Sequence, residues 1–110
     1  MEIRIETPRA HIALVTIANE PRRNAMNRPM LADLAALWDR LDGDAGCRCV
    51  VLTGAGGKAF SAGADISGDL SAGADAARAI NRALLKDTPF SKPIVAAVNG
   101  DCVEIGRAHV

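Results

Sequence analysis

The sequence predicts an α/β fold, and three features of its apolar pattern support that prediction. Two apolar segments open the chain between residues 3 and 17, as two neighbouring strands would. Two stretches with apolar side chains at helical spacing follow, at residues 27–41 and 74–86. Each precedes a short, continuous apolar run, at residues 49–53 and 93–98, which is typical of a buried strand. The order strand, strand, helix, strand, helix, strand therefore favours one α/β unit.

The first two strands differ in their patterns. Ile3 and Ile5 alternate with polar residues, whereas residues 12–17 are apolar on both faces apart from one threonine. The proline at position 8 predicts a turn at residues 7–9 between the two strands.

The first helix has sequence signals at both of its ends. It follows a loop at residues 19–26, and Asn27 can cap its N-terminus. Pro29 lies in the first turn, where its missing N–H is harmless, and Gly43 is placed to end the helix. One stripe of the helix carries Leu31, Leu34, Leu37, Trp38 and Leu41.

The second helix is predicted at residues 74–86, with Pro89 stopping it. Its inner face would carry Ala76, Ala79, Ile80, Ala83 and Leu84. The glycine-rich residues 54–57 before it predict a flexible connection. They do not make a phosphate-binding motif, because Ala59 stands where the dinucleotide fingerprint needs a third glycine and where the phosphate loop needs a hydroxyl.

Composition excludes several classes of partner. The 13 basic and 13 acidic residues cancel, and only three residues are aromatic, so no nucleic-acid surface is expected. No apolar run approaches the roughly 20 residues needed to cross a bilayer. Glu2 and Glu6 open the chain where a secretory leader would be basic, so we expect a cytoplasmic protein with no membrane association.

The three cysteines do not predict a metal site. Their spacing relative to the two histidines matches no metal-binding pattern, so we expect no metal and reduced thiols that act as small apolar fillers. The residues concerned are Cys47, Cys49, Cys102, His11 and His109.

The strongest functional signal is a run of small residues after the strand at residues 49–53. Residues 60–66 read Phe-Ser-Ala-Gly-Ala-Asp-Ile, and side chains this short let a ligand approach the backbone closely. Backbone N–H groups held at the end of a strand can stabilise a developing oxyanion. The segment is therefore a candidate acyl-transfer or enolate site.

Four motifs in order carry a resemblance to a known family. They are Asn19-Glu20-Pro21 with Arg23-Asn24-Ala25-Met26, Val50-Val51-Leu52-Thr53-Gly54, Lys58 to Ile66, and Lys92 to Gly100. Together they make the chain resemble the enoyl-CoA hydratase/isomerase (crotonase) superfamily. The resemblance implies a crotonase-like ββα superhelix, of which residues 1–103 would form an incomplete, N-terminal portion.

The resemblance also implies the site. Its ligand would be an acyl-CoA thioester, held for enolate formation, with the N–H of Ala64 as one of two oxyanion donors. The carbonyls of Ala62 and Ile66 would bracket the adenine amino group, and Arg23 and Ala25 would line the nucleotide region. The implied contacts are Arg23, Ala25, Ala62, Gly63, Ala64, Asp65 and Ile66. No cofactor is implied beyond the coenzyme A of the substrate, and relatives assemble as homo-oligomers, as trimers or hexamers.

Structural roles compete with these assignments. Residues 62–64 could simply pack tightly, and Asp65 more often caps the following turn than acts in catalysis. Arg23 on its loop could be an ordinary solvated charge, and Asn24 is expected to fix the turn through its side chain. Trp38 is expected in the core.

The resemblance breaks after Val103. Ile105 stands where the family places the glycine that supplies the second oxyanion N–H, and Ala108 stands where a catalytic Glu is frequent. Residues 105–110 resemble a translated sequencing adapter, so we expect a non-native tail from residue 104 onward. Because half of the oxyanion hole and the acid and base groups are missing, we expect no turnover by residues 1–110. A non-catalytic CoA-binding or interaction protein and a nucleotide-binding domain remain the alternatives.

Overall fold

A computed structural model describes residues 2–63, 73–86, 89–98 and 101–102. Its strands are β1 (Glu2–Arg9), β2 (Ile12–Ala18), β3 (Cys49–Gly54), β4 (Ala59–Ser61), β5 (Ile94–Ala97) and β6 (Asp101–Cys102). Its helices are α1 (Arg28–Asp42) and α2 (Gly73–Ala83), with a single 3₁₀ turn at Glu20–Arg22. The predicted alternation of strands and helices is confirmed for this part of the chain.

The main sheet has four strands in the order β1-β2-β3-β5. The strand β1 runs antiparallel to β2, whereas β2, β3 and β5 run parallel to one another. Val15 pairs with Leu52, which pairs with Ala96, and these residues point to the face that the helices cover. A separate parallel pair joins β4 to β6.

The predicted turn at residues 7–9 is wrong. The strand β1 continues to Arg9 through Pro8, and the turn falls at Ala10 and His11, where His11 has a φ of 69°. An edge strand tolerates proline because its outer N–H positions need no partner, and the register shifts between Glu6 and Arg9.

The two faces of the main sheet differ in burial. Val50 and Leu52 of β3 are buried, while Val51 and its outward neighbours are only partly covered. The expectation that the strand at 49–53 is covered on both sides therefore holds fully for one face only. Val95 on β5 is 53% exposed.

The ends of α1 follow the predicted signals. The Asn27 side chain accepts a hydrogen bond from the N–H of Met30 at 3.0 Å, and Pro29 occupies the first turn. Gly43 is the C-terminal cap. All five residues of the predicted apolar stripe are buried.

The second helix packs on α1 through Trp38. The indole N–H of Trp38 donates to the carbonyl of Ala83 at 2.7 Å, and its ring meets Phe90 edge-on at 5.3 Å between centroids. Ala83 is buried, and Ile80 and Leu84 pack against the same core, as predicted. The helix ends at Ala83 rather than at 86, because Leu85 adopts a left-handed φ of 55°. Positions 76 and 79 of the predicted face lie outside the described side chains.

The segment before β5 is tied to the end of α1. The ammonium of Lys92 donates to the carbonyls of Leu41 and Asp44, where the helix dipole favours a positive charge. Asp42 accepts hydrogen bonds from the hydroxyl of Ser91 and from its backbone N–H, the latter at 3.0 Å. The hydrogen bond from the Ser91 hydroxyl is the main reason why the pKa of the Asp42 carboxyl lies below its ordinary value, and the bond from the Ser91 N–H is the next. The positive charge of Lys92 adds a smaller effect in the same direction.

Acid should weaken this tie. Because the folded pKa of Asp42 is depressed, its stabilising effect is complete above the ordinary value of about 3.9 and is lost as the pH falls through the lower, folded pKa. An NMR titration of the Asp42 carboxyl carbon should show a midpoint below the ordinary value. In Ser91→Ala the midpoint should rise, because the hydroxyl donor is gone. Equal midpoints in the two proteins would contradict this assignment.

Candidate functional site

The candidate site begins in residues 19–26, here called the asparagine loop. After the 3₁₀ turn, Arg23 and Asn24 both adopt left-handed backbone conformations, with φ of 55° and 59°. Asn tolerates this region better than most residues because its short side chain can bond locally. The N–H of Asn24 donates to the carbonyl of Asn19 at 2.8 Å, which closes the loop.

The side chain of Asn24 holds the loop to its neighbours. Its oxygen accepts from the N–H of Asn19 at 2.9 Å, and its amide nitrogen donates to the carbonyls of Ala55 and Ala59 at 2.9 and 2.8 Å. The predicted role of Asn24 in fixing the turn is confirmed, and the structure extends it to the connection between β3 and β4. Because the residue is only 1% exposed, water cannot replace these partners.

The strands β3 and β4 approach so closely that only glycine fits at the end of β3. A Cβ on Gly54 would lie 2.2 Å from the carbonyl oxygen of Phe60 and 2.7 Å from that of Ala59. The glycine-rich connection therefore has a packing role at its first residue. This finding refines the prediction of a merely flexible connection.

The chain leaves β4 through Ser61, Ala62 and Gly63, here called the β4 exit. The N–H of Ala62 donates to the carbonyl of Arg23 at 3.0 Å, and the carbonyl of Gly63 accepts from the N–H of Met26 at 2.8 Å. The asparagine loop thus holds the β4 exit in a ladder-like arrangement. Gly63 has a φ of 98°, a region in which L side chains are strained.

A buried hydroxyl completes the anchoring. The Oγ of Ser61 donates to the carbonyl of Asn24 at 2.8 Å and accepts from the N–H of Gly63 at 3.0 Å. Ser61 is fully buried. Neither Ser61 nor Asn19, which donates to the carbonyl of Ala25, was assigned a role from the sequence. A serine two residues before a glycine is the signal that could have identified the local turn.

An open depression of about 330 Å³ lies between the asparagine loop and the β3–β4 connection. Glu20, Arg23 and Lys58 supply its charged rim. Arg23 is exposed, as expected of a loop arginine, and its backbone carbonyl is nevertheless part of the anchoring of Ala62. Two basic side chains beside a concave surface can attract an anionic group such as a phosphate.

The structure brings four of the seven predicted contact residues together. Arg23 and Ala25 lie on the asparagine loop, and Ala62 and Gly63 lie on the β4 exit bonded to it. The other three, Ala64, Asp65 and Ile66, lie outside the described residues, as does the predicted tail at 104–110. The structure therefore does not test the predicted oxyanion donor itself.

Within the described ranges, no three His, Cys, Asp or Glu side chains are grouped so that they could hold a metal ion. None of the helices in that part of the chain is long and apolar enough to cross a membrane. Cys47 is a buried free thiol and Cys49 a partly buried one, as the filler role predicts, and Cys102 has no described side chain.

The amino-acid sequence of the chain is similar to those of known proteins. Residues 7–108 match the profile of the family described as enoyl-CoA hydratase/isomerase. The mevalonyl-coenzyme A hydratase SIDH of Beauveria bassiana is 39% identical over 112 residues, which cover 90% of this chain and 39% of that protein. Enoyl-CoA hydratase EchA19 of Mycobacterium tuberculosis is 36% identical over 105 residues, or 89% of this chain and 39% of that protein.

Solved structures show the same likeness. DspI of Pseudomonas aeruginosa superposes with a TM-score of 0.81 at 34% identity, over 94% of this chain and 40% of its own. An enoyl-CoA hydratase from Bacillus anthracis gives 0.80 at 27% identity, over 89% and 40%. The chain thus spans about two fifths of the length of these relatives. The predicted crotonase-like α/β fold is confirmed as a partial unit, and the chain belongs to the enoyl-CoA hydratase/isomerase family.

Proposed function

We propose that this chain is part of an acyl-CoA enzyme: it binds the acyl-CoA thioester, and the N–H of Ala64 is one donor of the backbone oxyanion hole that stabilises the enolate in the whole enzyme. The observation that carries the proposal is the anchoring of the β4 exit to the asparagine loop. A donor that acts in an oxyanion hole must be fixed before the charge develops, because reorganisation during the reaction would cancel its benefit. The three hydrogen bonds to Ala62 and Gly63 supply that rigidity immediately before residue 64.

Covalent geometry adds a direction to this argument. The carbonyl of Gly63 shares its peptide plane with the N–H of residue 64, and in a trans peptide the two groups point to opposite sides. Since that carbonyl points at the N–H of Met26, we expect the donor of Ala64 to point away from the asparagine loop. The donor would then be available to a thioester carbonyl rather than consumed within the loop.

The basic side chains at the rim of the depression favour a ligand that carries coenzyme A. Arg23 and Lys58 border the depression beside the asparagine loop, and coenzyme A carries several phosphate charges that such side chains attract. The names of two relatives, a mevalonyl-coenzyme A hydratase and an enoyl-CoA hydratase, agree with this choice. Cytoplasmic location and assembly into homo-oligomers belong to the same proposal; the first rests on the acidic residues that open the chain, and the second on the family resemblance.

A chromophoric substrate analogue tests the proposal. The thioester 4-(dimethylamino)cinnamoyl-CoA absorbs at longer wavelength when its carbonyl is polarised, so we expect a red shift when it binds the purified protein. Free CoA should compete for the site and NAD should not. Binding of CoA without any red shift would favour the non-catalytic alternative, and competition by NAD alone would favour a nucleotide-binding domain.

Binding without turnover is the second part of this expectation. Residues 1–110 contain one of the two expected oxyanion donors and no identified pair of acid and base groups. Hydration of crotonyl-CoA can be measured by the loss of its conjugated absorbance. Its rate should therefore stay at that of the uncatalysed reaction. Hydration that copurifies with the protein would show that this chain contains a catalytic group we have not assigned.

A further inference from the structure

We infer that Ser61 is a positioning residue of the acyl-CoA site, holding the peptide that leads to the oxyanion donor. The inference deepens the proposed function and rests on it. It depends on three hydrogen-bonded groups: the N–H of Gly63, the hydroxyl of Ser61 and the carbonyl of Asn24. No contact of Ser61 with the ligand is required.

The hydroxyl has the capacity to act as a relay. It offers one hydrogen and two lone pairs, so it can donate to Asn24 and accept from Gly63 at the same time. The two distances, 2.8 and 3.0 Å, are those of ordinary hydrogen bonds. Because Ser61 is fully buried, no water competes for either bond.

The Ser61 hydroxyl and its two hydrogen bonds restrict the backbone of Gly63, the most flexible residue of the β4 exit. Glycine has the widest backbone freedom of any residue, and Gly63 uses that freedom at a φ of 98°. Its carbonyl is fixed by Met26, and its N–H is fixed by Ser61. Holding both ends sets φ and ψ of Gly63 and therefore the orientation of the next peptide.

The origin of the relay lies in the asparagine loop. The carbonyl of Asn24 can reach Ser61 because Asn24 is left-handed, and its side chain holds that conformation through Asn19, Ala55 and Ala59. The network thus connects the β3–β4 connection to the β4 exit through one residue. Ser61 supplies the last side chain of this network in the described part of the chain before residue 64.

The variants that test this inference are chosen to separate positioning from stability. Ser61→Ala removes the hydroxyl, and Ser61→Thr keeps it and can form the same local turn. Trp38→Phe is the matched control, because it also removes one buried side-chain donor, the bond to Ala83, but lies in the helical core. All three are compared with the unchanged protein for the red shift of 4-(dimethylamino)cinnamoyl-CoA and for the affinity of free CoA.

We expect Ser61→Ala to lose most of the red shift while its affinity for free CoA changes less than twofold. The threonine variant should recover the shift, and Trp38→Phe should retain it. A full red shift in Ser61→Ala would overturn the inference and leave the proposed function intact. An equal loss of the red shift in Trp38→Phe would also overturn the inference, because it would show that destabilising the fold anywhere is enough to remove the shift. Absence of the shift in the unchanged protein would instead reject the proposed function.

A second measurement does not depend on any variant folding. The amide of Gly63 should be protected from hydrogen exchange in the unchanged protein, because its N–H is bonded to a buried hydroxyl. Exchange at the rate of an unstructured peptide would show that the relay does not form in solution and would overturn the inference by itself.

Discussion

Replacing Gly54 with alanine is expected to destabilise the domain by about 3 kcal/mol or more, the upper end of the range for overpacking. The added Cβ would lie 2.2 Å from the Phe60 oxygen and 2.8 Å from the Phe60 carbonyl carbon. Both are backbone atoms of β4, so no side-chain rotation can relieve the contact. The contact can be relieved only if β3 and β4 move apart, and that movement would break the hydrogen bonds between the β4 exit and the asparagine loop. The measurement is the free energy of unfolding in urea.

Gly57→Ala is the matched control for this prediction. A Cβ at Gly57 would meet no atom within 4 Å, and the residue lies in the same connection. Its effect should stay within about 0.5 kcal/mol, as for other exposed substitutions. If the two alanine variants unfold at the same urea concentration, the close approach of β3 and β4 is not present in solution.

Replacing Asn24 with alanine is expected to cost about 3 kcal/mol or more, because each buried group left without its partner costs roughly 1–3 kcal/mol. Two buried groups lose that partner, the N–H of Asn19 and the carbonyl of Ala59, and the half-buried carbonyl of Ala55 loses its bond to the same amide. The variant also gives up a residue type suited to a left-handed φ. The measurement is again the free energy of unfolding, together with exchange protection of the Ala62 amide.

Asn27→Ala provides the comparison, since it removes an asparagine side chain only a few residues away. Asn27 caps α1 by accepting a hydrogen bond from the N–H of Met30, and losing such a cap typically costs about 1 kcal/mol. Asn24→Ala should therefore be the more damaging change by a clear margin. The opposite order would mean that the asparagine loop contributes little to the fold.

The helices and long strands could be predicted because their signals are local. Asn27, Pro29 and Gly43 mark α1 through capping chemistry that involves only neighbouring residues. The first turn could not be predicted, because β1 lies at the sheet edge and so tolerates Pro8. The short strand β4 could not be predicted either, since three residues define no period and its partner lies in β6.

The candidate site was predictable as a motif and not as a network. The run of small residues after a strand predicts a place where a ligand could approach the backbone, and this signal is local in the sequence. The hydroxyl of Ser61 donates to the carbonyl of Asn24, and the amide of Asn24 donates to the carbonyl of Ala59, so each acts on a partner far away in the sequence. Those partners become visible only when β3, β4 and the asparagine loop are placed together.

The parallel order of β2, β3 and β5 has a kinetic consequence. Among the described strand pairs of the main sheet, only the β1–β2 hairpin joins residues that are close in the chain, whereas Ala13 must find Val50, and Val50 must find Ile94, across intervening helices. Such high contact order slows folding, because loop-closure entropy is lost before the distant pairs form. We therefore expect the β1–β2 hairpin to form early in folding. The separate β4–β6 pair should form only after the four-stranded main sheet has assembled.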